Sequence, residues 1–179
     1  MINRRLYSDK EIKELLDTVT VLIDTREKCP DKHITNYFDN NNIPYKKMAL
    51  KAGDYSFYLP QNEELGIQND MYFFNDIVIE RKASLDELAG NFTQNRERFN
   101  DEFSRMVAAK RYLIIENASY RDIATHHYRS QYNEKAFMAS LFSFQIKYDL
   151  SVQMFPAEFT GYFIYEVCRY CCRYFLKQG

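Results

Sequence analysis

Residues 76–86 read Asp76-Ile77-Val78-Ile79-Glu80-Arg81-Lys82-Ala83-Ser84-Leu85-Asp86. The apolar, β-branched run that leads into this stretch, Met71 to Arg81, predicts a strand. Ser84 caps a predicted helix, with Glu87 three residues on in the pattern of a capping box. Three consecutive charges lie between the two, at a strand's end rather than on a solvated helix. Alternate residues of a strand share a face, so Glu80 and Lys82 point one way and Arg81 the other. A carboxylate beside an ammonium has two readings. One is a surface ion pair of small worth. The other is part of a hydrolytic site, where carboxylate oxygens hold a hard divalent cation and the lysine places, or helps deprotonate, an attacking water. An ammonium there also stabilises charge on phosphoryl oxygens. These three residues alone do not decide between the two.

Outward from this stretch the pattern is that of alternating strands and helices. Ser8 caps a short helix over Asp9 to Asp17, and Val19 to Asp24 is a buried strand. Asp31 to Asn41 reads as a helix; Tyr45 to Leu50 and Gly53 to Leu59 read as strands. Pro60 to Asp70 is polar and reads as a long hairpin loop. After the charged triplet come a helix from Ser84, a second helical run over Gln94 to Lys110 and an apolar strand over Tyr112 to Glu116. Asn133 to Tyr148 is helical, Leu150 to Phe155 a strand, and Ala157 to Lys177 a long helix. This order predicts an α/β sandwich, with helices packed around a central mixed sheet. We find no repeat and no low-complexity tract, and five glycines with four prolines leave little room for linkers. One domain over residues 1–179 is expected, its core about 19–155 and its C-terminal helix about 157–177.

Further acids sit at predicted strand ends: Asp24 and Glu27 in Asp24-Thr25-Arg26-Glu27, and Asp54 in Gly53-Asp54-Tyr55. In order and spacing, these segments and Glu80-Arg81-Lys82-Ala83-Ser84-Leu85-Asp86 resemble the XPF-type nuclease family, whose signature is GDX(n)ERKX(3)D. The strand Leu113-Ile114-Ile115-Glu116 fits as well, and the resemblance runs from about Val19 to Phe155. It implies a restriction-endonuclease-like fold with a PD-(D/E)XK site. It implies Asp54 and Glu80 as principal metal ligands, and Lys82 as the catalytic lysine. Asp24 and Glu27 would line the same site, Asp24 assisting the metal. Arg81 would support phosphate binding or the architecture, and Asp86 would complete the motif at the start of the next helix. The implied cofactor is Mg2+, with Mn2+ as substitute; an all-oxygen donor set suits such hard ions better than zinc. DNA is the implied partner.

The family often carries a C-terminal helix-hairpin-helix module, which needs closely spaced glycines. After Gly90 only Gly161 and Gly179 remain, so no such module is expected, nor a helicase region. A homodimer, or a separate DNA-binding or helicase partner, is the corresponding expectation. The resemblance implies an endonuclease for branched or flap DNA. Two alternatives stay open: a non-catalytic DNA-binding or protein-interaction module of the same fold, and a nuclease of that superfold for plain duplex DNA or RNA.

Composition sets the outer limits. The 179 residues are 46% apolar and 16% aromatic, too apolar for a disordered chain. No apolar run reaches about 18 residues, so no membrane span is expected. Lys plus Arg number 24 against 25 Asp plus Glu, a net charge of -1, which does not by itself announce a nucleic-acid binder. The first residues lack a secretory leader's apolar core. Three of the four cysteines crowd near the C-terminus, unlike the spread staples of secreted domains. Both point to an intracellular protein, cytoplasmic or nucleoid-associated. Cys168 and Cys171 have the spacing of half a zinc site, but Ile164, Cys168, Cys171, Cys172 and Phe175 also form one helical stripe, and the stripe is the better reading.

In Gln94 to Arg111 the charges mostly make a solvated helix face, with Glu97 and Asp101 repelling and Asp101 and Arg105 attracting. Arg98 is singled out as a substrate contact, with Arg105 and Arg96 behind it. Phe142, Phe144, Phe163 and Phe175 are assigned to the core. His126 and His127 are assigned to a solvated turn.

Overall fold

The computed structural model describes residues 5–26 and 32–178. Seven strands form one mixed sheet: β1 (Thr20–Asp24), β2 (Tyr45–Met48), β3 (Tyr55–Leu59), β4 (Met71–Tyr72), β5 (Ile77–Lys82), β6 (Lys110–Glu116) and β7 (Leu150–Phe155). Their order is β2-β1-β3-β5-β6-β7, with β4 paired to β3. β3 runs antiparallel to β1, β4 and β5; the β1–β2, β5–β6 and β6–β7 pairs are parallel.

Helices cover both faces. On one lie α1 (Asp9–Leu16), α2 (Lys32–Asn40) and α7 (Thr160–Gln178), packed on Val21, Ile23, Tyr55, Phe57, Ile77, Ile79 and Ile114. On the other lie α3 (Leu85–Phe92), α4 (Arg96–Arg105), α5 (Tyr120–Ala124) and α6 (Glu134–Tyr148), packed on Val78, Leu113 and Ile115. Odd and even residues of β5 and β6 thus serve different cores, as two-residue periodicity requires. The expected α/β sandwich around a mixed sheet is the architecture found.

Several boundaries moved for identifiable reasons. The strand expected over Met71 to Arg81 is two strands, because the amides of Asp76 and Ile77 both donate to Phe73 O at 3.0 Å and close a turn. Phe73 is held there by stacking on Phe57, ring centroids 4.3 Å apart. The helix expected to reach Lys110 stops at Arg105, and Lys110 begins β6. The five-residue α5, capped by Ser119, was not anticipated. At α3, Ser84 Oγ accepts from Glu87 N at 3.2 Å, but Glu87 returns its carboxylate to Ala83 N at 2.8 Å rather than to Ser84. The reciprocal half of the capping box is therefore absent there.

The buried stripe of α7 runs through Ile164, Cys168, Cys172 and Leu176, while Cys171 is partly buried and Phe175 is exposed. Phe142 is exposed too, Phe163 is half-buried, and Phe144 alone of the four named phenylalanines is fully in the core. Among the described residues no helix is long and apolar enough to cross a membrane.

Candidate active site

Adjacent strands bring the carboxylates together. Asp24 ends β1, Asp54 directly precedes β3, and Glu80 lies in β5. Backbone bonds align them: Asp24 N donates to Asp54 O at 2.8 Å, and Asp54 N donates to Ile79 O at 2.9 Å. Their neighbours Ile23, Tyr55 and Ile79 point into the core under α1, α2 and α7. Alternation therefore turns Asp24, Asp54, Glu80 and Lys82 to the opposite face, beneath α4. Gly53 makes the approach of Asp54 to β5 feasible. Its φ is +72°, and a Cβ there would lie 2.3 Å from Val78 Cγ1 and 3.1 Å from Ile79 O.

These four residues line a cleft of about 200 Å³ with Arg26, Arg98, Glu102 and Arg105. Lys82 Nζ donates to Glu80 Oε1 at 2.6 Å, lies 3.6 Å from Glu87 Oε1 and sits 5.2 Å from the centre of the Phe99 ring. Burial opposes its charge, but Glu80 and Asp54 outweigh burial and hold its pKa above the ordinary lysine value. At neutral pH the side chain is an ammonium, which offers positive charge rather than a proton-accepting nitrogen.

Asp24 is engaged on both oxygens. Oδ2 accepts from Arg26 Nε at 2.8 Å, and Oδ1 accepts from Leu50 N at 3.2 Å. Asp54 Oδ2 accepts from Arg81 N at 2.7 Å. The candidate metal ligands are all carboxylate oxygens, the donor type that suits magnesium or manganese. Among the described residues no three His, Cys, Asp or Glu side chains converge into a complete metal site. Magnesium does not require one, since it keeps several waters and takes one or two protein carboxylates along with substrate phosphate. Asp54 and Glu80 fit that role, whereas Asp24 is held by Arg26. Glu27 lies outside the described residues.

Two of the expected site residues are not in the cleft. Arg81 points to the other face of the sheet, where Nε and Nη2 donate to Glu116 Oε1 and Oε2 at 2.8 and 2.6 Å. Glu116, 2% exposed, also contacts His33 Nε2 at 2.8 Å and accepts from Thr160 Oγ1 at 2.6 Å. Burial works against the Glu116 carboxylate, but Arg81, Thr160 and His33 together keep its pKa below the ordinary glutamate value. The backbone amide of Arg81 does reach the cleft, where it donates to the Asp54 carboxylate. Asp86 lies on the first turn of α3 and accepts from the amides of Arg129 and Ser130 at 2.9 and 2.7 Å.

On α4, Arg98 and Arg105 line the cleft, but Arg96 turns back to Phe92 O and Ser140 Oγ at 3.2 and 2.9 Å. Arg26 and Glu102 were not singled out from the sequence. Both carried a signal: Arg26 is two residues from Asp24 along the chain, and Glu102 falls at i+4 from Arg98, one turn along the same helix face.

Similarity to known proteins agrees with this geometry. Residues 23–167 match the ERCC4 domain. Solved structures with the same fold include XPF from Aeropyrum pernix, at 19% identity and a TM-score of 0.58, and XPF from Aeropyrum pernix in complex with DNA, at 17% identity and a TM-score of 0.58. Each covers 84% of this chain, while this chain covers 60% and 64% of them, under two thirds of their length. No curated protein sequence matches. The ERCC4 match takes in every described residue that lines the cleft, from Asp24 to Arg105, and the chain belongs to the ERCC4 domain family.

Proposed function

We propose that the protein is a divalent-metal-dependent DNA endonuclease, its 179 residues acting as one nuclease domain. The observation that carries this reading is the joint placement of Asp24, Asp54, Glu80 and Lys82 in one cleft, faced by Arg98 and Arg105 from α4. Carboxylates alone would repel a phosphodiester; arginines and an ammonium in the same cleft give its oxygens favourable partners. The ERCC4 match and the XPF-like fold support the same reading.

In the proposed mechanism Asp54 and Glu80 would hold Mg2+, or Mn2+ in its place, and Asp24 would be a further ligand if released from Arg26. The cation, when bound, supplies charge stabilisation at the phosphoryl oxygen and lowers the pKa of a coordinated water. Arg98 and Arg105 bind and orient the phosphate backbone. Lys82, steadied by Glu80 and the Phe99 ring, places its ammonium beside the charge that builds on the phosphoryl oxygens. Arg81 acts through its backbone, with its amide fixing the Asp54 carboxylate. Branched or flap DNA is the proposed substrate, and a homodimer or a separate DNA-binding partner the proposed source of additional grip.

The test is cleavage of labelled duplex, single-stranded, flap and junction DNA with Mg2+, with Mn2+ and with chelator. Wild type should cut in either metal and stop with chelator. Asp54→Ala and Lys82→Ala should each lose on the order of 100-fold or more in rate while still binding DNA. Cleavage by both variants at the wild-type rate would remove the cleft from the mechanism. Absence of any cleavage by the wild type in either metal would refute the enzyme.

A further inference from the structure

Asp86 stands in the charged motif, yet it lies outside the cleft, and what it holds is specific. Its Oδ1 accepts from Arg129 N at 2.9 Å and Ser130 N at 2.7 Å, and its Oδ2 accepts from Arg129 Nε at 3.3 Å. Residues 125–133 link α5 to α6, and Asp86 ties them to the first turn of α3. The loop is also braced within itself. His126 Nε2 contacts Ser130 O at 3.0 Å, the His126 ring stacks on Tyr128 at 4.3 Å, and Tyr128 OH donates to Tyr132 O at 2.7 Å. His126 adopts a φ of +54°, a conformation a non-glycine residue keeps only when its surroundings impose it.

The same helical turn reaches the cleft. Glu87, next to Asp86, comes within 3.6 Å of Lys82 Nζ. One turn of α3 thus touches the catalytic lysine with one carboxylate and the loop with the next. The loop is thus tied to the helical turn whose next residue meets Lys82. The Arg129 side chain is 92% exposed although its Nε is anchored. A guanidinium held in place at its base and open to solvent elsewhere is suited to a phosphate oxygen. Arg121, His127 and Lys135, close to Arg129 along the chain, are exposed as well, and Asp122 and Glu134 contact His127 and His126.

We propose that Asp86 is a positioning residue that holds residues 125–133 against the first turn of α3, and that Arg129 on this loop binds a DNA backbone phosphate away from the scissile one. The proposal rests on the DNA-endonuclease reading and extends it to a second contact surface.

The experiment is a salt titration of DNA affinity, by fluorescence anisotropy with labelled duplex and flap DNA in Ca2+ buffer, between about 50 and 200 mM salt. Arg129→Ala should weaken binding several-fold and reduce the slope of log affinity against log salt by about one phosphate contact. Arg129→Lys, which keeps the charge, should recover much of both. Asp86→Ala should give a similar loss with Arg129 still present, and faster amide exchange over residues 125–133. The double variant should be no weaker than the worse single one. In cleavage assays the loss should sit in KM, several-fold larger than any change in kcat. If Arg129→Ala binds with wild-type affinity and slope while wild type binds and cuts, this inference is overturned and the endonuclease reading stands. If Asp86→Ala loses kcat with affinity and loop exchange intact, Asp86 acts on the chemistry and the positioning role is wrong. If wild type binds no DNA, both readings fail together. Arg129 is a surface residue, so its variants remain informative even if Asp86→Ala does not fold.

Discussion

Glu116→Ala is the sharpest test of what keeps β5 in place. It removes the acceptor of a bidentate pair from Arg81, which is 7% exposed. Removing one partner of a buried ion pair typically costs about 3–5 kcal/mol, because the remaining charge loses its bidentate acceptor inside the protein. Thr160, fully buried, loses the acceptor of its hydroxyl as well. His33 is 35% exposed, so water replaces most of what it loses. For a chain of this size the expected fall in Tm is about 6–20 °C. The companion variant Arg81→Met/Glu116→Leu removes both charges and should recover much of the loss, since well-packed apolar replacements of buried pairs are often near neutral. Urea unfolding at pH 7.5, fitted for midpoint and slope, reads both. The pH dependence has a definite sign. The Glu116 pKa is depressed in the folded state, so its stabilisation is full above the unfolded value and is lost as pH falls through the folded one. The gap between wild type and Glu116→Gln should therefore narrow once the pH drops below about 4.3. A Glu116→Ala protein within about 1 kcal/mol of wild type, or a double variant no more stable than Glu116→Ala, would refute the reasoning.

Two further outcomes follow from local geometry. Gly53→Ala forces a Cβ against Val78 at a positive φ; it should cost about 1–3 kcal/mol or more, and cleavage measured well below the melting temperature should fall further than stability alone explains, because Asp54 is displaced. An unchanged Tm would show that the strand can shift to accept the methyl. In a Cys29→Ser background at pH 7.5, the remaining cysteines should react slowly with a thiol reagent until urea unfolds the protein. Burial pushes Cys171 up to about 11 and Cys172 up to about 12, and raises Cys168 well above the ordinary thiol value; fast stoichiometric labelling of the native protein would contradict that packing.

Most strands were readable because buried runs such as Val19 to Asp24 and Tyr112 to Glu116 are short and rich in β-branched and aromatic residues. The cleft face was readable for the same reason: alternation separates Glu80 and Lys82 from Arg81 whatever surrounds them. What the sequence hid was determined by contacts remote along the chain. The turn that interrupts Met71 to Arg81 depends on Phe73 stacking on Phe57. The partner of Arg81 is 35 residues away, and that of Asp86 is 43 away. Local patterns say which way a side chain points, but not what waits there. Arg98 and Arg96 differ by two positions on one helix and end on different surfaces, a distinction that required knowing which side of α4 meets the sheet.

The division of Glu80-Arg81-Lys82 between two faces also explains how the strand keeps its register. β5 is tied to β3 through a single paired position, Tyr55 with Ile79, but to β6 through six. Register is therefore set on the β6 side, where Glu116 stands. A slip of one residue would turn Arg81 into the cleft and Glu80 or Lys82 toward Glu116. Glu80 there would place two carboxylates together in a pocket that leaves Glu116 only 2% exposed; Lys82 there would keep the charge match but lose the two-pronged geometry that only a guanidinium supplies. Either slip also turns both Glu80 and Lys82 out of the cleft. The arginine thus sits between the two catalytic candidates for a physical reason. By pairing with Glu116 on the far face, it favours the observed register over both one-residue slips, against one by charge repulsion and against the other by the lost bidentate geometry.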